Sequence, residues 1–255
     1  MDTAKEIRKR IIEIGFGCGE KGIHFGGILS LVEIMLAIYA DNAFDKEKDR
    51  VILSKGHGAL AQYLAMEHYG MLKRKDVDKY KGDFVLCSVH PSMHTGSGID
   101  FSSGSLGQGL SIGCGVALAK KRRSQNGRVY VILGDGECDE GSVWESIMYA
   151  SQMRLDNLIA VIDANGLQYD GNTQDIISLE EFSMKLKAFG WDAVDVDGHN
   201  INEIADALSA QGSKPKAVVA HTVKGKGISF MEGDASWHNR SLTQEQYECA
   251  MEELK

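Results

Sequence analysis

With 255 residues and 43% hydrophobic content, the chain is long and apolar enough for one large α/β domain with a full core. Its formal net charge of −8 gives no reason to expect a nucleic-acid partner. No apolar run is long enough to cross a bilayer, and the charged start MDTAKEIRKR lacks the apolar core of a signal peptide, so a cytoplasmic protein is expected.

Ile7, Ile11, Ile12 and Ile14 recur among charges at helical spacing, which predicts a first helix over Lys5 to Gly15. Gly17-Cys18-Gly19-Glu20-Lys21-Gly22 then has the form of a dinucleotide fingerprint. It follows a charged helix rather than a buried strand, so a nicotinamide cofactor is poorly supported. His24-Phe25-Gly26-Gly27 leads into an apolar helix, Leu31 to Tyr39, and Asp49 to Gly58 reads as a short strand entering a turn before a helix from Ala59 to Tyr69. Lys73 to Asp83 is charged and weakly helical, the pattern of a solvated connection. After His90-Pro91 and the loop to Gly98, the glycine-rich Gly104-Ser105-Leu106-Gly107-Gln108-Gly109 opens a helix from Leu110 to Leu118. The amino end of such a helix favours an anion, whereas Lys120-Lys121-Arg122-Arg123 reads as a capped, solvated carboxyl end.

The most informative stretch is Val129 to Gly171. An apolar β-branched run, Val129 to Leu133, ends in Gly134-Asp135-Gly136. An amphipathic helix follows, with Trp144, Ile147, Met148 and Met153 on one face, and then a second apolar run, Leu158 to Ile162, ends in Asp163-Ala164-Asn165-Gly166. In a strand-helix-strand unit the carboxyl ends of both strands open on one crevice, so Asp135 and Asn165, thirty positions apart, converge there. A carboxylate and an amide oxygen are hard donors that suit Mg²⁺ or Ca²⁺. Gly134 and Gly136 leave the backbone open to an anionic group.

Downstream, Ser178 to Phe189 reads as a helix with an imperfect apolar face. Trp191 to Val196 reads as a strand, Ile201 to Ala210 as a helix opened by Asn200, Lys216 to Thr222 as a last strand, and Leu242 to Leu254 as a terminal helix. Strands alternating with helices predict an α/β fold, a mainly parallel sheet with helices on both faces. No repeat or low-complexity linker interrupts the chain, which reads as a single domain over residues 1–255. Five scattered cysteines without a CxxC pair, Cys18, Cys87, Cys114, Cys138 and Cys249, read as reduced thiols, Cys138 included.

GDGECDEG followed by DANG resembles the thiamine diphosphate motif, and the surrounding segments resemble the amino-terminal part of a transketolase. The resemblance runs from the first helix to His238 and implies the thiamine diphosphate-binding fold. It implies that Asp135, Asn165 and the carbonyl of Leu167 hold Mg²⁺ (or Ca²⁺) and through it the cofactor diphosphate. It places His24, His57, His90 and His238 at the reacting centre. His24 stands where the family carries His-Pro-Gly, with Phe25 here for the proline, and His57 belongs to Ser-Lys-Gly-His. His90 belongs to His-Pro, and His238 to a closing Trp-His that Asn239 follows instead of the family's glycine. Cofactor contacts are expected from His57, Gly104, Ser105, Leu106, Gly134, Asp135, Gly136, Glu140 and Asn165. Glu140 and Glu145 match family glutamates near the dimer interface, and read equally well as exposed helix acids favoured by the dipole.

In that family the glutamate serving the aminopyrimidine ring lies in a second, pyrimidine-binding domain, for which this chain has no room. The resemblance thus implies the amino-terminal subunit of a split transketolase, inactive alone, which forms an α₂β₂ assembly with a separate carboxyl-terminal subunit. Together they would transfer a two-carbon ketol unit from a ketose to an aldose, as phosphates or free sugars. The alternatives are another thiamine diphosphate enzyme component, of synthase or ketoacid dehydrogenase type, and a non-catalytic cofactor-binding regulatory subunit.

Overall fold

The computed structural model describes residues 2–40, 44–82, 85–94, 97–179, 181–210 and 212–255. Its frame is a five-stranded, wholly parallel sheet: β1 (Arg50–Leu53), β2 (Val129–Gly134), β3 (Leu158–Ala164), β6 (Asp192–Asp197) and β7 (Lys216–His221), in the order β1-β2-β3-β7-β6. A two-residue hairpin, β4 (Leu167–Gln168) with β5 (Gly171–Asn172), projects beyond the end of β3.

A parallel sheet is covered on both faces, so its strands are apolar on both. Tyr130, Ile132, Ile159, Val161, Val218 and Ala220 face one core with helices α1 (Thr3–Gly17), α2 (Phe25–Leu29), α3 (Val32–Tyr39), α4 (Ala59–His68) and α10 (Ile201–Ser209). The alternate residues Val129, Val131, Leu133, Leu158, Ala160, Ile162 and Val219 face a second core under α6 (Gly109–Arg122), α7 (Gly141–Gln152) and α9 (Phe182–Ala188). Short helices α5 (Arg74–Val77) and α8 (Thr173–Ile176) and the terminal α11 (Gln244–Glu253) complete the set. Thr243 opens α11 with a reciprocal capping box to Gln246, and Tyr247 stacks on Phe16 of α1 at 4.3 Å.

Four local expectations are corrected. The stretch from Lys73 is no solvated connection: Val77 and Tyr80 are buried, and Arg10 of α1 bonds Asp78 at 2.6 Å. Its expected end, Asp83, lies outside the described residues. Met148 leaves the apolar face of α7, because the buried positions Val143, Ser146, Ile147 and Ala150 follow the i, i+3, i+4, i+7 spacing of one helical stripe, and Met148 lies one residue round from it at 50% exposure. The helix expected from Ser178 starts only at Phe182, since Glu181 holds a left-handed backbone (φ 54°) that no helix propagates through. Finally, the basic end of α6 is exposed at Lys121, Arg122 and Arg123 as expected, but Lys120 is buried and donates to the carbonyls of Lys48 and Asn126.

The Gly17-to-Gly22 segment leaves helix α1 through a single 3₁₀ turn, with no strand before it. All five cysteines are free, and Cys138 is fully buried beneath the Gly136–Asp139 turn. No described helix is long and apolar enough to cross a membrane.

Candidate active site

The carboxyl ends of β1, β2, β3 and β7 carry Lys55, Asp135, Asn165 and Thr222, and there a cleft of about 320 Å³ opens. Ligand sites of open α/β sheets form at this edge. Asp135, Asn165 and Leu167 all line it, with Gly134, Gly136, Leu106, His57, Lys55, Lys224 and His238.

Asp135 is buried at 7% exposure, and its two oxygens accept the backbone N–H groups of Gly136 (2.9 Å) and Gly166 (2.5 Å). The aspartate at the end of β2 thereby fixes the turn that ends β3. Burial, followed by the nearby charge of Asp163, pushes its carboxyl up to about 6. An anion so placed is favourable once a cation faces it. Asn165 accepts the Leu167 N–H at 3.2 Å through Oδ1 and donates through Nδ2 to Asp163 at 3.2 Å. Among the described residues no three His, Cys, Asp or Glu side chains gather to hold a metal ion. A cation here therefore depends on the mixed oxygen set of carboxylate, amide and carbonyl, which is the donor chemistry of Mg²⁺ or Ca²⁺.

Beneath this set lies a fully buried hub. Asp163 accepts from Lys55, Thr222, Ser30 (2.7 Å) and Asn165 (3.2 Å), so one carboxylate ties together β1, β3, β7 and the end of α2. Burial alone would raise it, yet the Lys55 ammonium and these donors hold it below the ordinary carboxylate range. Glu137 makes a second clasp, accepting from Ser54, from the Gly107 N–H (2.8 Å) and from the Gly134 N–H (3.1 Å). It joins the glycine-rich loop to the β2 turn. At Gly107 (φ +78°) a β-carbon would come within 2.7 Å of Glu140, so only glycine lets loop and helix meet.

The four histidines form one group. His24 lies 5.5 Å from His57, 5.5 Å from His238 and 6.2 Å from His90 between ring centroids, and His57 lies 5.2 Å from His238. Phe25, in place of a proline, is buried edge-on to Trp237 at 6.0 Å, which joins the His24 loop to the turn carrying His238. Burial, with His90's charge next, lowers His24 to about 4; burial, with Lys224 next, lowers His238 to about 4. Burial, and then Lys55, puts His57 well below its ordinary value, and burial lowers His90. All four rings are neutral at pH 7, able to donate at one nitrogen and accept at the other.

Lys224, at 3% exposure, donates to the Leu167 carbonyl at 3.0 Å and lies 3.2 Å from His238 Nδ1. An ammonium only donates, so Nδ1 accepts and the ring proton sits on Nε2. Burial, then the charge of Lys55, lowers Lys224 to about 8. Three buried polar atoms around the cleft have no partner among the described residues: His24 Nδ1, Asp139 Oδ1 and Gln168 Oε1. Such orphans mark where a ligand's polar groups belong.

Of the remaining expected residues, Glu140 lines the cleft and begins α7 without capping it, while Glu145 is exposed on α7. Gly104 and Ser105 are exposed and outside the cleft lining, Gly104 lying against the His90 ring. The sequence assigns no role to Lys55, Glu137, Asp163 or Lys224, although Lys55, Glu137 and Asp163 sit inside the Ser-Lys-Gly-His, GDGECDEG and DANG motifs.

The lowered histidines set a pH dependence for the ligand-free chain. Between their unfolded value of about 6.5 and the folded value of about 4, the unfolded chain binds protons that the folded chain refuses, so stability falls on acidification through that window. With solvent screening of these half-buried rings, each costs about 1 kcal/mol at pH 5. The urea midpoint is expected to drop from pH 7 to pH 5 by more in the wild type than in a His24→Gln/His238→Gln variant. Equal drops would contradict these shifts.

The family model of the transketolase thiamine diphosphate-binding domain matches residues 19–254. The chain is 39% identical to one subunit of the apulose-4-phosphate transketolase of Phocaeicola vulgatus, over 98% of this chain and 92% of that one. It is 41% identical to the 6-deoxy-6-sulfo-D-fructose transketolase subunit of a Clostridium species, over 99% of this chain and 94% of that one. Among solved structures it superposes on the transketolase from Leishmania mexicana with a TM-score of 0.87 at 25% identity, covering 99% of this chain and 40% of that one.

Proposed function

Since the chain belongs to the transketolase family, matching its thiamine diphosphate-binding domain, we propose that it is the amino-terminal subunit of a split transketolase acting on a ketose donor and an aldose acceptor. The observation that carries this reading is the cleft itself: three hard oxygen donors, the buried Lys224, His57 and His238 line it, His24 stands next to both rings with His90 beyond it, and orphaned polar atoms lie around it. These residues fit the cofactor. Asp135, Asn165 and the Leu167 carbonyl would hold Mg²⁺ (or Ca²⁺), and the Lys224 ammonium would face the diphosphate. Thiamine diphosphate, when bound, supplies the electron sink for breaking and forming the carbon-carbon bond beside a carbonyl. His24, His57, His90 and His238 would orient the sugar hydroxyls and move protons on and off them, work suited to neutral imidazoles. Gly134 and Gly136 would leave the β2 turn open to the cofactor, with Leu106 and Glu140 also lining the cleft and Gly104 against the His90 ring, next to Ser105 in the chain.

The chain spans about two-fifths of the Leishmania transketolase, whereas the Phocaeicola and Clostridium subunits are covered almost end to end. We therefore read residues 1–255 as one diphosphate-binding domain whose site is completed by a separate polypeptide with the pyrimidine-binding domain, in an α₂β₂ assembly in the cytoplasm. The five free cysteines accord with that compartment. The expected result is that the purified chain binds thiamine diphosphate in isothermal titration only with Mg²⁺ present, transfers no ketol unit alone, and does so when mixed with its partner subunit. Full ketol transfer by the chain alone would refute the split reading, and cofactor binding indifferent to Mg²⁺ would refute the anchor.

A further inference from the structure

Lys224 stands in the short segment that leaves β7, and both ends of that segment are gripped from a distance by a buried charged cluster. Arg8 of α1 and Glu33 of α3 pair in a two-pronged contact, Nη1 to Oε1 at 2.7 Å and Nη2 to Oε2 at 2.8 Å, with side-chain exposures of 8% and 7%. Arg8 has one further donor in use: Nε reaches the Lys226 carbonyl at 2.9 Å. On its other side Glu33 Oε2 lies 3.1 Å from His199 Nδ1, and His199 Nε2 accepts the Val223 N–H at 2.9 Å. Two backbone groups flanking Lys224, the N–H of Val223 and the carbonyl of Lys226, are thus bound to one triad. Gly227 (φ +91°) allows it, since a β-carbon there would come within 2.7 Å of Arg8 Cδ.

The bonding also settles the ring. A backbone N–H can only donate, so His199 Nε2 is the acceptor, the proton is on Nδ1, and Glu33 receives it. Glu33 can take that proton and both Arg8 contacts because a carboxylate has about four acceptor positions. Burial works against its charge, yet the hydrogen bonds from His199 and Arg8 hold its carboxyl below the ordinary range. A buried charged triad is costly to place unless fully satisfied, and here its free valences end on the backbone beside a lysine of the cleft.

Resting on the reading of the cleft as a thiamine diphosphate site, we propose that His199, held by Glu33 and Arg8, is a positioning residue that fixes Lys224 for the cofactor diphosphate. Among the described residues the hydrogen bonds of the His199 ring go to Glu33 and the Val223 amide, neither of which lines the cleft, so it acts through the backbone beside Lys224. Outer-shell partners of this kind are worth ~10- to 100-fold in affinity.

The experiment is a thermodynamic cycle read by isothermal titration of thiamine diphosphate with Mg²⁺ into the full chain. His199→Ala is expected to weaken binding about 10-fold, and His199→Gln, which can present an acceptor near the Nε2 position, to restore most of it. In a Lys224→Ala background the same His199→Ala change is expected to cost less than about twofold, because the group it positions is gone. A purely structural histidine would give the same loss in both backgrounds and no rescue, and that result overturns the proposal, as does wild-type affinity in His199→Ala. Should His199→Ala fail to fold, ring ¹⁵N shifts of the wild type decide: a neutral ring protonated at Nδ1 is expected, and protonation at Nε2 overturns the proposal. A wild-type chain that binds no cofactor would instead defeat the reading of the cleft.

Discussion

Asp135→Asn is expected to weaken Mg²⁺-dependent binding of thiamine diphosphate by at least ~100-fold while leaving the chain folded, a loss larger than outer-shell changes usually cause. The substitution keeps the volume and removes two things. The first is the anionic donor: Asn165 and Leu167 contribute only neutral oxygens, so without Asp135 the cation would face no formal charge in its own set. The second is one acceptor, because both Asp135 oxygens already receive backbone N–H groups, and the amide nitrogen of asparagine would confront either Gly136 or Gly166. The turn after β3 that carries Asn165 and Leu167 is then less firmly held, so the loss exceeds that of a single ligand. Isothermal titration with and without Mg²⁺ measures it, and near-ultraviolet circular dichroism checks the fold. An affinity within about threefold of wild type would remove Asp135 from the anchor.

The framework of this site is legible in the sequence because its signals are local. Two apolar runs ending in Gly-Asp-Gly and Asp-Ala-Asn-Gly announce adjacent parallel strands, and β2 and β3 pair with Gly134 opposite Asp163. The histidines stand in short segments whose resemblance to transketolases singles them out. The roles of the supports do not show, because even those inside a motif, Lys55, Glu137 and Asp163, take their tying partners from far off along the chain. Ser54 meets Glu137 across 83 positions and Thr222 meets Asp163 across 59, with no periodicity to record either. Lys224, between a β-branched residue and a glycine, looks like an ordinary surface lysine until the fold buries it. The misplaced boundaries have equally local causes. A left-handed Glu181 stops α9 from starting earlier, and two apolar side chains, Val77 and Tyr80, suffice to dock a stretch whose composition is mostly charged.

His57→Ala separates chemistry from cofactor retention. The His57 ring makes no hydrogen bond to Asp135, Asn165 or Leu167; it lies against Gly27, where a β-carbon would approach within 3.1 Å, and between His24 and His238. Its loss therefore leaves the oxygen set and Lys224 in place, and cofactor affinity is expected to stay within about threefold of wild type. Turnover is another matter. Burial and then the Lys55 ammonium keep His57 neutral through the working pH range, so its ring can give a proton at one nitrogen and take one at the other without adding charge to the cleft. Alanine supplies neither function, and a positioned acid-base group contributes ~10²- to 10⁴-fold. The assembled enzyme carrying His57→Ala is accordingly expected to lose at least ~100-fold in kcat, with the KM for the ketose changed far less. His90→Ala offers the internal comparison: His90 is exposed outside the cleft lining and, among the described residues, has His24 as its near ring neighbour, so its removal should raise KM more than it lowers kcat. Steady-state ketol transfer by the complex, paired with titration of the chain, distinguishes these cases, and a defect of His57→Ala confined to cofactor affinity would move His57 from the chemistry to the anchor.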